Sequence, residues 1–222
     1  MMLGERLNQI LASLPAGVSL CAVSKYHPAG IIREAYDAGQ RIFGESHVQE
    51  LQQKHPLLPP DTQWHFIGHL QTNKVKYIAP YISLIHSVDS PRLLNEINRQ
   101  ALRNGRRIPC LLQLHVAQEE SKFGFTPEEC LAYLRSREYA TLQGISIAGI
   151  MCMATNTDDK ARIHQDFHTA NHLFAQCTAE FPDLAQEMTI RSWGMSGDYT
   201  IALQEGSNMV RIGSSIFGPR NY

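Results

Sequence analysis

The feature that most constrains the fold of this 222-residue chain is a regular alternation of short apolar runs with amphipathic helical patterns. Eight runs have the length and composition of strands, covering residues 18–26, 41–44, 62–68, 82–88, 109–116, 145–153, 187–193 and 208–212. Strands that alternate with helices are parallel, and eight such units can close into a barrel. We therefore predict an α/β fold, a single (β/α)8 barrel domain over residues 1–222, with an extra N-terminal helix.

An open, doubly wound parallel sheet is the main alternative. Dinucleotide-binding sheets of that kind carry GxGxxG after the first strand, and no such motif follows residues 18–26. Local signals support the helical segments between the strands. Ser90 precedes Pro91 and Thr126 precedes Pro127, which are cap and first-turn pairs typical of helix starts.

Charge and cysteine content exclude several classes of function. The formal net charge is -1 and no basic run is present, so we expect no nucleic-acid partner. The N-terminal segment lacks the uninterrupted apolar core of a signal peptide, and no stretch is long enough to span a bilayer. The 5 cysteines form no CxxC pair, which predicts free thiols in a reducing compartment. We expect a cytoplasmic protein without a membrane partner.

In such barrels the active site forms at the carboxyl ends of the strands. Lys25 closes the otherwise apolar run CAVSK, where partial burial would lower its pKa and free a nucleophilic amine. The alternative is a strand-end lysine that extends into solvent. Position alone therefore makes Lys25 a candidate for attack on an aldehyde.

Two Ser/Gly loops stand where barrels of this kind bind phosphate, after the seventh and eighth strands. They contain Ser196 in GMSG and Gly213-Ser214 in GSS. Ordinary turn chemistry is the alternative for each loop. Arg211 lies near the end of the last strand, as either a buried ion-pair partner or the partner of a pyridine nitrogen. Arginine only donates hydrogen bonds, so a pyridine nitrogen beside it stays unprotonated.

Two other groups of residues give weaker indications of a functional site. His164, His168 and His172 follow the i, i+4, i+8 spacing of one helix, but we find no carboxylate or thiol clearly placed beside them and predict no metal site. Ser196 does not fit GxSxG, because Asp198 occupies the position of the second glycine, so a hydrolase nucleophile is not favoured.

Several longer blocks resemble the YggS/PROSC family of pyridoxal phosphate homeostasis proteins. They run through the whole chain in family order: AVSKY (22–26), FGESHVQE (43–50), WHFIGHLQTNK (64–74), ESKFGF (120–125), GIMCM (149–153) and MSGDYTIALQEGSNMVRIGSSIFGPR (195–220). The resemblance implies an alanine-racemase-like barrel that holds pyridoxal 5′-phosphate (PLP) at its mouth. One departure stands at Ser46, where the family commonly has asparagine, so any contact made by that amide is in doubt.

Residue by residue, the resemblance implies a Schiff base on Lys25 and pairing of Arg211 with the pyridine nitrogen. It also implies that Ser196, Gly213 and Ser214 contact the phosphate. His65 and Asn73 belong to the family motif that lines the site.

The resemblance also implies a non-catalytic PLP carrier in vitamin B6 homeostasis, with apo PLP-dependent enzymes as implied recipients, and we expect a monomer. A racemase of this fold needs a second acid/base, supplied by an additional C-terminal β-domain; the chain ends at Tyr222, so we expect that domain to be absent. The alternative is a PLP-dependent racemase-like enzyme. Its candidate bases are His65, His86, His115 and Tyr199.

Overall fold

Eight parallel strands form a closed barrel in the computed structural model, which describes residues 2–119 and 123–219. The strands are β1 Ser19–Val23, β2 Ile42–Glu45, β3 Gln63–Phe66, β4 Leu84–Val88, β5 Ile108–Leu114, β6 Ile145–Cys152, β7 Ile190–Met195 and β8 Met209–Ile212. They follow one another in chain order around the barrel, and β8 closes it by pairing with β1 from Ser19↔Met209 to Ala22↔Ile212. The predicted barrel class is confirmed.

Helices connect the strands and surround the barrel. They are α1 Leu3–Ser13, α2 Ala29–Asp37, α3 Val48–Lys54, α4 Val75–Ile78, α5 Pro91–Arg103, α6 Pro127–Ser136, α7 Lys160–Glu180, α8 Pro182–Ala185, α9 Tyr199–Gln204 and α10 Ser214–Phe217. Short 3-10 helices cover His55–Leu57, Thr72–Lys74 and Glu138–Thr141. Helix α1 is the extra N-terminal helix. None of the helices in the described ranges is long and apolar enough to cross a bilayer.

The predicted caps are formed by side chains that accept hydrogen bonds from the first helical turn. The backbone N–H of Leu93 donates to the Ser90 hydroxyl at 3.4 Å, at the start of α5. Thr126 and Glu129 bond reciprocally at 3.1 and 2.8 Å, a capping box that begins α6. These helix starts depend on neighbours in sequence, which explains why sequence patterns locate them.

The observed strand ends differ from the predicted ones by up to three residues, and two of these differences affect the candidate site. Strand β1 ends at Val23, so Lys25 lies in the loop beyond the strand rather than within it. Strand β7 continues to Met195, which pairs with Arg211 across a register shift, whereas the prediction ended it at 193. Gly194 adopts a φ of 95°, in the left-handed region that favours glycine. A glycine at this place in the sequence indicates a turn, which explains why the strand was predicted to end at 193. The short helix α8 was not predicted.

Gly149 allows β6 and β7 to approach closely. A Cβ atom built at this position would overlap the carbonyl oxygen of Ile190 on β7. The register between β5 and β6 also shifts between Cys110 and Leu111, opposite this glycine. Such an irregularity bends a strand locally, and the missing side chain of Gly149 leaves room for the close approach of β7.

The core combines the barrel interior with the layer between barrel and helices. Trp64 and Trp193 are among the largest fully buried side chains and pack in this core. All 5 cysteines are buried and free. Burial raises the pKa of Cys21 to about 12, so this thiol is protonated and unreactive at neutral pH.

Candidate functional site

A pocket of about 230 Å³ opens at the carboxyl ends of the strands and brings most of the candidate residues together. Lys25, Ser196, Arg211, Gly213 and Ser214 all line it. The other lining residues are Val23, Ser46, Ile67, Met153, Met195 and Gly197. A cavity of about 430 Å³ shares Met153, Met195 and Gly197 with this pocket, so the site has room beyond the candidate residues on the β6–β7 side.

Lys25 occupies a short loop between β1 and α2, and its side chain is half-buried. Ser24 before it is fully buried, whereas Tyr26 after it is exposed and has a φ of 67°. A tyrosine in this left-handed region is uncommon, because its Cβ crowds the following carbonyl group. The loop therefore holds Lys25 in one backbone geometry that neighbouring contacts have to maintain.

Arg211 projects from β8 into the pocket and is almost completely buried, with 4% of its surface exposed. One guanidinium nitrogen donates to the carbonyl oxygen and the hydroxyl of Ser192, at 2.7 and 2.8 Å. The other donates to the carbonyl oxygen of Cys152 at 2.9 Å. Burial lowers the pKa of Arg211, but arginine keeps its proton in proteins, so the pocket contains a fixed positive charge.

A buried chain of hydrogen bonds extends from Arg211 across the barrel interior. The Ser192 hydroxyl contacts His86 Nδ1 at 3.0 Å, and His86 Nε2 contacts His65 Nδ1 at 3.0 Å. Arg211 can only donate, so the Ser192 oxygen accepts from it, and one arrangement that satisfies every contact has the Ser192 hydroxyl donating to His86 Nδ1. His86 then carries its proton on Nε2 and donates to His65. Both histidines are neutral in this arrangement.

The pKa values of the two histidines agree with that arrangement. Burial lowers the pKa of His65 to about 3. Burial also holds the pKa of His86 well below its ordinary value, with smaller contributions from His65 and Arg211. A group with a pKa near 3 is a poor proton acceptor at neutral pH. His65 is linked to Arg211 through His86 and Ser192, and it is not among the residues that line the pocket of Lys25.

The two Ser/Gly loops meet at one side of the pocket. The backbone N–H of Gly213 donates to the Ser196 hydroxyl at 3.4 Å, which joins the loops after β7 and β8. A Cβ atom at Gly213 would lie 3.0 Å from the carbonyl oxygen of Val23 on β1. The glycine thus permits close packing of β8 against β1 as well as access to its backbone. Hydroxyl and amide groups of this kind suit a phosphate.

Asn73 lies apart from the other candidates. It belongs to the 3-10 helix Thr72–Lys74 and lines a surface pocket with His69 and Arg92, not the pocket that contains Lys25. Among the motif blocks, residues 120–122 and Arg220 lie outside the described part of the chain.

The α7 histidines have a carboxylate partner that sequence reasoning missed. His164 and His168 each place Nδ1 on a carboxylate oxygen of Glu205, at 3.0 and 3.2 Å. Glu205 follows α9, 37 residues after His168, so no local spacing indicates the contact. Over residues 2–119 and 123–219, no group of three or more His, Cys, Asp or Glu side chains is arranged to hold a metal ion.

Comparison with known proteins identifies the family. The model of the alanine racemase N-terminal domain family matches residues 3–221. A pyridoxal phosphate homeostasis protein of Pasteurella multocida is 37% identical over 210 residues, covering 93% of this chain and 88% of the relative. The human protein of that name is 35% identical over 233 residues, covering 98% and 84%. The chain belongs to the pyridoxal phosphate homeostasis protein family.

Solved structures agree with this family membership. PipY of Synechococcus elongatus PCC7942, solved with PLP bound, has a TM-score of 0.89 at 37% identity and covers 98% of this chain and 100% of its own. An alanine racemase of Clostridium difficile has a TM-score of 0.78 at 14% identity; 56% of that chain is covered, and the likeness shows the fold alone. The resemblance seen in the motif blocks is thus confirmed at the level of family and barrel.

Proposed function

We propose that this protein binds PLP in the pocket at the carboxyl end of the barrel and acts in intracellular PLP homeostasis. The convergence of Lys25, the buried Arg211 and two Ser/Gly loops on one pocket carries the proposal. This donor set fits three polar groups of PLP: the aldehyde, the pyridine nitrogen and the phosphate. The printed name of its relatives and the PLP-bound PipY structure support the same conclusion.

Each residue of the pocket has a chemical task in this proposal. PLP would supply an aldehyde, with which the neutral amine of Lys25 would condense to a Schiff base with release of water. Ser196, Gly213 and Ser214 donate hydrogen bonds to the phosphate, and Arg211 donates to the pyridine nitrogen. A nitrogen held by a permanent donor stays unprotonated, which makes the ring a poor electron sink. This favours holding the cofactor over catalysing amino-acid chemistry.

The positions of the candidate bases also favour a carrier over a racemase-like enzyme. His65 and His86 are buried behind Arg211. The hydroxyl of Tyr199 contacts Ser13 on α1, and His115 Nε2 contacts the carbonyl oxygen of Glu119. These contacts tie the candidates to structural partners. We therefore do not propose enzymatic turnover.

The domain extent, oligomeric state, compartment and recipients of PLP follow from the same family membership as proposals. We propose that the chain is one PLP-binding domain over residues 1–222, that it works as a monomer in the cytoplasm, and that apo PLP-dependent enzymes receive its PLP. The free cysteines support a reducing compartment. Light scattering of the purified protein tests the monomer, and transfer of PLP to an apoenzyme in a dialysis-free activity assay tests the recipients.

The proposed function is tested by titrating the cofactor-free protein with PLP and recording absorbance. We expect a new visible band in the wild type, unchanged in Lys76→Ala, which alters an exposed lysine on α4. The band should be lost in Lys25→Ala. A Lys25→Ala protein that keeps the band and its affinity would contradict the assignment of the pocket.

A further inference from the structure

A buried cluster of charged side chains lies behind the loop that carries Lys25. Lys54, the last residue of α3, has 5% of its surface exposed, and Glu45 at the end of β2 is completely buried. The Lys54 ammonium lies 2.8 Å from Glu45 Oε1 and 2.6 Å from Glu50 Oε1. Charges this deep in a protein are costly unless they are paired, so the cluster is a built feature of the fold.

The same ammonium also reaches the backbone of the lysine loop. Lys54 Nζ donates to the carbonyl oxygen of Ser24 at 2.8 Å, in addition to its two carboxylate contacts. An ammonium has three N–H donors, and these three acceptors use all of them. The Ser24 hydroxyl in turn donates to Glu45 Oε1 at 2.5 Å. The residue before Lys25 is thus held by both its carbonyl and its hydroxyl.

The residue after Lys25 is held by the same cluster. The backbone N–H of Tyr26 donates to Glu50 Oε1 at 2.5 Å, the oxygen that also accepts from Lys54. Tyr26 has the left-handed φ of 67°, which is unfavourable for a residue other than glycine. Such a conformation persists only where surrounding contacts impose it. The contact to Glu50 is one of those around Tyr26, together with the hydrogen bond between its hydroxyl and His47 Nε2 at 3.0 Å.

We propose that Lys54 is a positioning residue for Lys25, which sets the reactivity of the Lys25 amine towards an aldehyde by fixing the backbone on both of its sides. This inference rests on the proposed function, because it concerns the reaction of Lys25 with PLP. An amine held in the productive geometry reacts as if at very high local concentration, and a displacement of about 1 Å can cost about 100-fold in rate. The three N–H donors of Lys54 are all used by Ser24, Glu45 and Glu50, so in this scheme recognition of the phosphate by the Ser/Gly loops after β7 and β8 is independent of Lys54.

The test compares Lys54→Met with the matched control Lys76→Met, an exposed lysine on α4. Two probes are used: PLP, and 4-deoxypyridoxine 5′-phosphate, which has the ring and the phosphate but no aldehyde. We expect Lys54→Met to bind the deoxy analogue within about twofold of wild type, while the rate of Schiff-base formation with PLP falls about tenfold or more. Lys76→Met should match the wild type with both probes.

A second pair of variants tests the inference if Lys54→Met does not fold. Glu50 is half-buried, so Glu50→Ala removes the acceptor for Tyr26 with less disturbance, whereas Glu50→Gln keeps an oxygen there. We expect Glu50→Ala to slow the reaction with PLP about threefold or more and Glu50→Gln to restore most of the rate.

Two results overturn the inference alone. The first is an unchanged rate of Schiff-base formation with PLP in Lys54→Met or Glu50→Ala. The second is a loss of affinity for the deoxy analogue in Lys54→Met as large as the loss of the rate with PLP. A wild type that forms no Schiff base on Lys25 would overturn the proposed function and this inference together. The wild-type measurement therefore separates the two failures.

Discussion

Acidification is expected to destabilise the cofactor-free protein through its two buried histidines. Burial lowers the pKa of His65 in the folded protein to about 3, and that of His86 well below the ordinary value of 6.5. In the unfolded chain both titrate near 6.5, so below that pH the unfolded state binds protons that the folded state excludes. Their contribution to stability is present above pH 6.5 and is lost as the pH falls towards 3.

The size of the effect follows from the two pKa values of His65. At pH 5 the unfolded histidine is 1.5 units below its pKa of 6.5, and each unit is worth about 1.4 kcal/mol, so the loss is about 2 kcal/mol for His65. The buried His86 contributes in the same direction, because burial also lowers its pKa in the folded protein. Glu45 acts in the opposite direction, because burial raises its pKa to about 7 and its protonation favours the folded state as the pH falls. Its contribution cancels when wild type and a histidine variant are compared.

Urea unfolding at pH 5, 6 and 7 measures this difference. In His65→Asn the loss of unfolding free energy between pH 7 and pH 5 should be about 2 kcal/mol smaller than in wild type, because Asn does not titrate. His172→Asn, at an exposed position on α7, serves as the control and should keep the wild-type pH dependence. The reasoning is refuted if His65→Asn and wild type lose the same free energy over this range.

Three further predictions concern packing, capping and the cofactor ring. Gly149→Ala should destabilise the protein by about 3 kcal/mol or more, because the added Cβ overlaps the β7 backbone. The control Gly30→Ala, at a position with open space on α2, should stabilise the protein by up to about 1 kcal/mol. Equal changes of the unfolding free energy of the two variants in urea would refute the close approach of β6 and β7. Thr126→Ala should cost about 1 kcal/mol through loss of the α6 cap, and no change in the urea midpoint would contradict this. Arg211→Glu should favour a protonated pyridine nitrogen and shift the absorbance of the PLP-loaded protein; an unchanged spectrum at normal PLP affinity would remove Arg211 from that role.

Local features were predictable from the sequence because they depend on neighbouring residues. The caps of α5 and α6 involve side chains three residues apart, and the alternation of apolar runs determines the order of strands around the barrel. The positions of Lys25 and Arg211 at strand ends placed them at the same face of a parallel barrel, and the pocket brings them together.

Features that depend on distant contacts were not predictable. Lys54 stands in a helical pattern where a lysine normally faces solvent, and only the fold places its ammonium against Glu45 and Ser24. The link from Arg211 through Ser192 to His86 joins strands that are far apart in sequence, and no spacing indicates it. Local pattern therefore located the pocket, while the network that supports its reactive groups required the structure.

The measurement that tests the central claim most directly is borohydride reduction of the PLP-loaded protein followed by peptide mapping. Reduction fixes the cofactor as a stable pyridoxyl group on the lysine that held it. We predict that the added mass is found on Lys25 and is absent from the Lys25→Ala protein treated in the same way. Pyridoxyl mass on another lysine, or on none, would contradict the account.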